Sequence, residues 1–193
     1  GLCVAKGLAQ RGYRVFATAR QKADVERLND LGIDGLESFQ LDLDDSVSIT
    51  NAVKHALQRS GGSLYALFNN GAYGQTGAVE DLRRDVLRAQ FETNVFGWLE
   101  LTNKVLPVMR RQGYGRIIQN SSILGFMALP FRGAYNASKY ALEGLSDTLR
   151  LELHGSGIHV SIIEPGPIES RFRANAFRHF KANIDCENSV FRD

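Results

Sequence analysis

The sequence predicts an α/β domain built as a doubly wound parallel sheet with helices on both faces. Segments with helical periodicity alternate along the chain with short apolar segments typical of strands. Parallel strands need crossover connections, and crossovers place helices against the sheet. No proline-rich or glycine/serine-rich linker divides the 193 residues, so we expect a single domain over 1–193.

In the first half of the chain, helix and strand alternate three times. The first helix carries Ala5 and Leu8 on one face and ends at Gly12, since glycine accepts the left-handed backbone that closes a helix. Asp45 or Ser46 caps the third helix. The three predicted strands are 13–19, 39–43 and 64–68, and the helices before them end at Gly12, Gly32 and Gly61.

The second half continues the alternation with longer helices. One helix is predicted over 82–112 and another over 133–154, with strands over 116–120 and 158–163. Only the tail from Arg171 onward lacks this alternation.

Composition and charge exclude several classes of protein. Lysine and arginine number 23 against 21 acidic residues, a net charge of +2, which gives no reason to expect a nucleic-acid partner. No apolar run is long enough to span a membrane, and the first residues do not resemble a signal peptide. Cys3 and Cys186 fit neither a disulfide framework nor a metal site. We expect a cytoplasmic protein without a metal.

Polar residues follow three of the predicted strands, where open α/β sheets bind ligands. They are Asn69-Asn70-Gly71-Ala72, Ser121-Ser122 and Glu164-Pro165-Gly166. Tyr135 and Lys139 are four residues apart on a helix and share one face. A nearby ammonium favours the phenolate, so this pair predicts a tyrosine that exchanges protons near neutral pH. Taken alone, the first segment also fits an ordinary turn, and the tyrosine–lysine pair also fits a solvated helix face.

Jointly these motifs resemble those of the short-chain dehydrogenase/reductase family, over nearly the whole chain to about Phe172. The resemblance also includes Asn94 and Pro165-Gly166-Pro167-Ile168, and it is strongest toward the 17β-hydroxysteroid and retinol dehydrogenase-like branch. It implies a Rossmann-type fold and a hydride-transfer oxidoreductase that acts on CH–OH groups with a nicotinamide cofactor.

The resemblance implies roles for four residues. Tyr135 would be the general acid or base, and Ser122 would hold the reacting oxygen. Lys139 would lower the pKa of Tyr135 and hold the nicotinamide ribose, and Asn94 would help to hold a water that relays the proton. The residues expected to bind the cofactor are Gly1, Arg20, Asp42, Leu43, Asn70, Gly71, Ala72, Tyr135, Lys139, Pro165, Gly166 and Ile168.

The cofactor expected is NADP(H) in preference to NAD(H). Ala19 stands where members that prefer NAD carry an aspartate, and Arg20 follows it, able to bind a 2′-phosphate. An ordinary solvated cation at a strand end is the alternative for Arg20.

Two departures from the family pattern stand out. Gly71-Ala72 reverses the usual Ala-Gly, and Ser170 replaces a threonine.

The resemblance also predicts that family elements are missing at both ends. Gly1 resembles the last glycine of the family's phosphate loop, so the first strand is absent, leaving a gap in the sheet between strands 13–19 and 64–68. The C-terminal strand is absent too, and the chain is expected to be an incomplete stretch of a longer polypeptide. A membrane anchor in the missing parts remains open.

The substrate is expected to be a lipophilic alcohol or ketone. Aromatic and apolar residues fill 126–131 and the expected substrate-loop region 171–193, which flank the nicotinamide site in this fold.

The long helix with Phe91, Val95, Trp98, Leu99 and Val105 predicts a homodimer or homotetramer, with a core role for Trp98 as the alternative. Two other functions stay open, namely a non-catalytic NADP(H)-sensing protein and a non-redox epimerase or dehydratase.

Overall fold

The structure, a computed structural model, describes residues 1–192 and confirms the predicted α/β architecture. Helices and parallel strands alternate from the first element to the last strand. The elements are α1 (Leu2–Ala9), β1 (Val15–Ala19), α2 (Lys22–Asn29), β2 (Leu36–Gln40), α3 (Ser46–Ser60), β3 (Ala66–Asn69), α4 (Arg84–Phe91), α5 (Gly97–Gln112), β4 (Gly115–Asn120), α6 (Gly133–Glu152), β5 (Ile158–Ile163) and α7 (Phe172–Asn183).

The strands form two parallel sheets. In one, β1 pairs with β2, starting at Val15 opposite Leu36. In the other, β4 lies between β3 and β5, with Ala66 opposite Arg116 and Gly115 opposite Ile158. Within the part of the chain that the structure describes, no ladder joins β1 to β3, which is where the sequence predicts a gap.

The main core lies between α3, α5 and the three-stranded sheet. Its buried members come from helices and strands alike: Ile49, Val53, Leu101, Val105, Leu106, Met109, Ile117, Leu153, Ile158 and Val160. Burial of so much apolar surface on one side of the sheet holds the carboxyl ends of β3 and β4 in place. Among the described residues, no helix is both long and apolar enough to cross a membrane.

The second strand lies earlier in the chain than predicted. The apolar residues at 39–43 indicated the strand, but the ladder with β1 runs over Leu36–Gln40. Leu41 and Leu43 instead pack against the core beyond the strand end. The predicted bounds were therefore wrong, because the apolar character of 41–43 reflects core packing and not strand pairing.

The helix predicted over 82–112 is not uniform. It begins at Arg84, passes through a π-helical turn at Glu92–Phe96 and ends at Gly113, whose φ of 76° closes it. Gly97 follows the π turn and faces the backbone carbonyl of Leu43, leaving no space for a side chain. Close approach of this helix to the loop after β2 therefore requires glycine.

The tail contains a helix that the sequence analysis left irregular. α7 runs over Phe172–Asn183, with Ala176 buried. Phe172, Ala176 and Phe180 repeat every four residues, so a helical pattern was present among the arginines.

Trp98 belongs to the core. Val95, Trp98 and Val105 are all buried within this chain, so they do not supply the free apolar surface on which the dimer was predicted. Phe96 and Leu99 beside them remain exposed, as do Tyr140 and Leu145 on α6.

Candidate active site

Tyr135 and Lys139 lie buried on α6, beside the carboxyl end of β4. Lys139 is only 1% exposed. Its Nζ donates to the Asn120 carbonyl oxygen at 2.8 Å and lies 4.5 Å from the centre of the Trp98 ring. The same Nζ is 5.6 Å from the centre of the Tyr135 ring. The helix spacing and the strand end thus bring an ammonium and a phenol together in a dry site.

Ser122 caps the short helical turn that follows β4. Its Oγ accepts a hydrogen bond from the Leu124 backbone N–H at 3.1 Å, and the side chain is buried. Ser122 is close enough to the Tyr135 phenol to influence its pKa. Three of the four predicted catalytic residues therefore converge.

Burial controls the protonation of this cluster. It raises the pKa of the Tyr135 phenol, while the hydrogen bond with Ser122 opposes the rise. Burial also lowers the pKa of Lys139 to about 7, against the attraction of Glu143. Loss of hydration is therefore the larger influence on both groups. The expectation that Lys139 makes the phenol more acidic stays a prediction.

Asn94 is completely buried in the π turn, and both polar atoms of its amide bond to protein. Nδ2 donates to the Tyr73 carbonyl oxygen at 2.9 Å and to Ser138 Oγ at 3.1 Å, and Oδ1 accepts from the Tyr73 N–H at 3.2 Å. The expected role of Asn94 in holding a water stays a prediction. Asn94 instead ties the segment after β3 to α6.

The predicted cofactor residues near β3 lie close together. A Cβ on Gly1 would be 3.1 Å from Asn70 Nδ2, and Asn70 Oδ1 accepts from Asn120 Nδ2 at 2.9 Å. The Gly71 carbonyl accepts from Trp98 Nε1 at 2.6 Å, and a Cβ on Gly71 would be 3.1 Å from the Leu43 side chain. These contacts bring Gly1, Asn70, Gly71 and the Leu43 side chain close together.

The reversed Gly71-Ala72 pair causes no strain. Within residues 1–192, neither residue has a positive φ. Alanine and glycine are therefore both compatible with the backbone conformation at these two positions.

The remaining predicted cofactor residues lie in looser surroundings. Arg20 is exposed after β1, and its carbonyl accepts from Gln40 Nε2 at 2.9 Å. Asp42 Oδ1 accepts from the Asp44 N–H at 3.1 Å. The Pro165 carbonyl accepts from the Ile123 N–H at 3.1 Å, which links the end of β5 to the turn after β4. Gly166 and Ile168 are exposed.

The segment 73–77 holds α7 over the site, a contact that the sequence analysis missed. The His179 ring stacks on Tyr73 with centroids 4.2 Å apart, and the Phe172 ring meets Tyr135 edge-on at 5.3 Å. Gln75 is buried and accepts from Asn183 Nδ2 at 2.8 Å. A side chain at Gly74 would collide with Phe172. The small residues after β3 were the available signal for this packing.

Burial and nearby charges shift the pKa of both members of this stacked pair. Burial raises the pKa of Tyr73 to about 12, Asp44 adds to the rise, and the Arg20 charge opposes it. Burial lowers the pKa of His179, and Arg178 and Arg20 lower it further.

Two cavities lie outside this cluster. One of about 620 Å³ is lined by residues that precede β1 and β2, at the end of the strands opposite the candidate site. The other, of about 460 Å³, lies between α7 and the tail, with Phe131, Phe177, Phe180 and Phe191 in its wall. Within residues 1–192, no group of acidic, histidine and cysteine side chains is arranged to hold a metal.

Comparison with known proteins identifies the family. The model of the family described as short chain dehydrogenase matches residues 1–180. The chain belongs to this family. It is 44% identical over 175 residues to the uncharacterized oxidoreductase YbbO of Escherichia coli (strain K12), covering 91% of this chain and 64% of YbbO.

Two further similarities extend the comparison across the family. The chain is 35% identical over 181 residues to 17-beta-hydroxysteroid dehydrogenase type 1 of Homo sapiens, covering 89% of this chain and 54% of the human protein. An actinorhodin polyketide ketoreductase crystallised with NADPH superposes with a TM-score of 0.85 at 29% identity, covering 92% of this chain and 70% of that one. This short chain dehydrogenase thus spans 64% and 54% of its two curated relatives.

Proposed function

We propose that the protein is an NADP(H)-dependent oxidoreductase that interconverts a lipophilic ketone or aldehyde and its alcohol by hydride transfer. The observation that carries the proposal is the buried convergence of Ser122, Tyr135 and Lys139 at the end of β4. A phenol, a hydroxyl and an ammonium in one dry site are suited to moving a proton onto a carbonyl oxygen.

The residues present fit a nicotinamide dinucleotide. Gly1 and Gly71 carry no side chain beside Asn70 and Leu43, and this would permit close approach of a flat or phosphorylated ligand to their backbone. Lys139 would hold the nicotinamide ribose, and Asp42 would meet the adenine amino group. Ala72 and the segment Pro165, Gly166 and Ile168 would complete the enclosure. When bound, the dinucleotide supplies or accepts the hydride.

The proposed roles in proton transfer follow from the pKa directions. Burial raises the pKa of Tyr135 and keeps the phenol protonated, so it is ready to donate to a carbonyl oxygen in the direction of reduction. Ser122 would donate a second hydrogen bond to the same oxygen and fix its position. The Lys139 ammonium would stabilise the phenolate after the proton has left. Asn94 would act by holding Tyr73 and Ser138 in place.

The preference for NADP(H) rests on charge after β1. Ala19 offers no carboxylate to a ribose hydroxyl, and the exposed Arg20 guanidinium is suited to a 2′-phosphate. The ketoreductase that superposes on this chain was crystallised with NADPH, which is consistent with the proposal.

The lipophilic substrate class rests on the side chains around the site opening. Phe126, Met127, Leu129 and Phe131 are exposed between Ser122 and Tyr135, and Phe172 contacts Tyr135 from α7. Such a wall favours apolar ligands and desolvates charged ones. The relative named as a hydroxysteroid dehydrogenase supports the same class.

We further propose that two or four copies assemble. Phe96 and Leu99, at the start of α5, and Tyr140 and Leu145 on α6 leave apolar side chains exposed on two helices. A second copy would cover them. Sedimentation at micromolar concentration checks this, and a mass equal to one chain would overturn it.

The experiment that tests the function follows NADPH absorbance with the full-length protein. The substrates are a panel of steroid, retinoid and medium-chain carbonyls beside small hydrophilic ones, each repeated with NADH. We expect NADPH to support turnover of the lipophilic set. Greater kcat/KM for hydrophilic carbonyls, or no preference between the cofactors, would contradict the corresponding part of the proposal.

A further inference from the structure

Glu143 extends the row of ionisable side chains on α6 by one turn. Tyr135, Lys139 and Glu143 are spaced four residues apart, so all three share one face of the helix. Lys139 Nζ donates to the carbonyl oxygen of Asn120, and Glu143 Oε1 lies near the hydroxyl of the next residue, Ser121, beside Gly125. Two consecutive side chains of this row therefore lie against two consecutive residues at the end of β4.

The Glu143 carboxylate packs beside Gly125, where any larger residue would take up the space that the carboxylate fills. A Cβ on Gly125 would be 2.6 Å from Glu143 Oε1 and 2.9 Å from Ser121 Oγ, so both atoms meet at that glycine. Each of these two atoms is buried, and in the described part of the chain neither has a hydrogen-bond partner. A buried carboxylate oxygen without a partner is costly unless a nearby charge compensates it.

Lys139 lies one helical turn before Glu143 on the same face of α6. Burial raises the pKa of Glu143, and the carboxylates of Glu164 and Asp147 raise it further, while Ser121 and Lys139 lower it. Conversely, burial lowers the pKa of Lys139 and Glu143 raises it. Each member of the pair thus favours the charged form of the other.

We propose that Glu143 is a positioning residue for the reaction, because its carboxylate lies one helical turn from Lys139 and packs beside Gly125 and Ser121 in the turn that carries Ser122. This rests on the proposed function, in which Lys139 must be an ammonium to stabilise the phenolate. In this role Glu143 would act through Lys139 and through the turn that carries Ser122.

The pH profile of kcat/KM tests the effect on Lys139. Glu143→Gln removes the compensating charge with little change in shape, so Lys139 loses its proton at lower pH. We expect the alkaline limb to move about one pH unit toward acid, as for loss of a close opposite charge. Glu143→Asp keeps the charge and should return the limb toward its original position.

Asp147→Asn is the matched control. Asp147 is one turn further along α6, exposed and paired with Arg150 at 2.6 Å, so its removal changes the charge by the same amount without facing Lys139. We expect the alkaline limb of the kcat/KM profile of Asp147→Asn to stay at its original pH. An unmoved limb in Glu143→Gln, or an equal displacement in Asp147→Asn, would overturn the proposal.

A thermal double-mutant cycle tests the pairing without requiring activity. Tm is measured against pH for the full-length protein, Glu143→Gln, Lys139→Met and the double variant. We expect Glu143→Gln to lower Tm when Lys139 is present. In the Lys139→Met background the same change should leave Tm unchanged or raise it, because it then removes a carboxylate that has no cation beside it.

The cycle also separates failure of the pairing from failure of the proposed function. Equal Tm changes in both backgrounds would show that Glu143 has a packing role only, and would overturn the proposal. If the protein proves inactive but the coupling appears, the proposed function fails and the pairing of Glu143 with Lys139 stands.

Discussion

The two ends of the proposed cofactor cleft differ in how their side chains are held. At the ends of β3 and β4, Asn94, Ser138 and Lys139 are almost fully buried and hydrogen-bonded within the protein. At the ends of β1 and β2, Arg20 is exposed and Asp42 half-buried, with bonds to their immediate surroundings. The buried end is suited to fixing reacting groups, whereas the exposed end is suited to choosing a ligand by charge.

The largest expected effect belongs to the buried end. Tyr135→Phe removes the proposed proton donor and keeps the ring, so turnover should fall by roughly two to four orders of magnitude while NADPH binding persists. Initial rates and NADPH fluorescence titration measure the two quantities. Tyr140→Phe, an exposed tyrosine on the same helix, is the control and should retain its rate. Full activity in Tyr135→Phe would contradict the assignment.

The buried ammonium should make stability depend on pH. The pKa of Lys139 is lowered from 10.5 to about 7 in the folded protein, so between these values the unfolded chain binds one proton more. Stability should therefore rise with pH in that window, by at most about 1.4 kcal/mol per pH unit for one proton. Urea unfolding of the cofactor-free protein at several pH values measures this slope.

Lys139→Met supplies the comparison for that slope, because methionine has a similar shape and cannot titrate. The difference in unfolding free energy between the original protein and Lys139→Met should grow in favour of the original as pH rises above 7. Parallel pH profiles of the two proteins would show that Lys139 is solvated in the folded state.

A smaller effect is expected at the exposed end. Arg20→Asp should weaken NADPH binding by about 1.5–3 kcal/mol, as for a lost charge-assisted hydrogen bond, and leave NADH almost unaffected. Calorimetric titration with both cofactors measures the difference. Arg11→Asp, an exposed arginine after α1, makes the same charge change and should alter neither affinity. Equal loss for NADPH and NADH would rule out a 2′-phosphate contact.

The smallest expected effects are changes in the free energy of unfolding, compared between one variant at each end of the cleft. Ser138→Ala removes the partner of Asn94 Nδ2 and should lower the free energy of unfolding by about 1–3 kcal/mol. Gln40→Ala removes an exposed hydrogen bond to Arg20 and should change it by no more than about 0.5 kcal/mol. Denaturant titration of both variants gives the comparison. Similar losses would mean that both ends are held equally firmly.

The sequence by itself determined the alternation of elements and the spacing of the reactive residues. Helical and strand periods depend on neighbouring side chains, so they can be read locally. The carboxyl ends of parallel strands share one edge of a sheet, so Ser122, Asn70 and Pro165 could be assigned to that edge before any coordinates. Whether Gly1, Arg20 and the other candidate residues bind a cofactor stays a prediction.

Only the tertiary structure decided how those residues are surrounded. The bond between Gln75 and Asn183 joins residues 108 positions apart. Gly74 signals close packing after β3, but no local pattern identifies α7 as the element that packs there. Three further features likewise depend on distant segments. They are the hydrogen bonds of the Asn94 amide, the buried position of Trp98 and the packing of Glu143 beside Gly125. The hydration and the pKa of an ionisable group depend on all the atoms packed around it. That packing is set by contacts between distant parts of the chain.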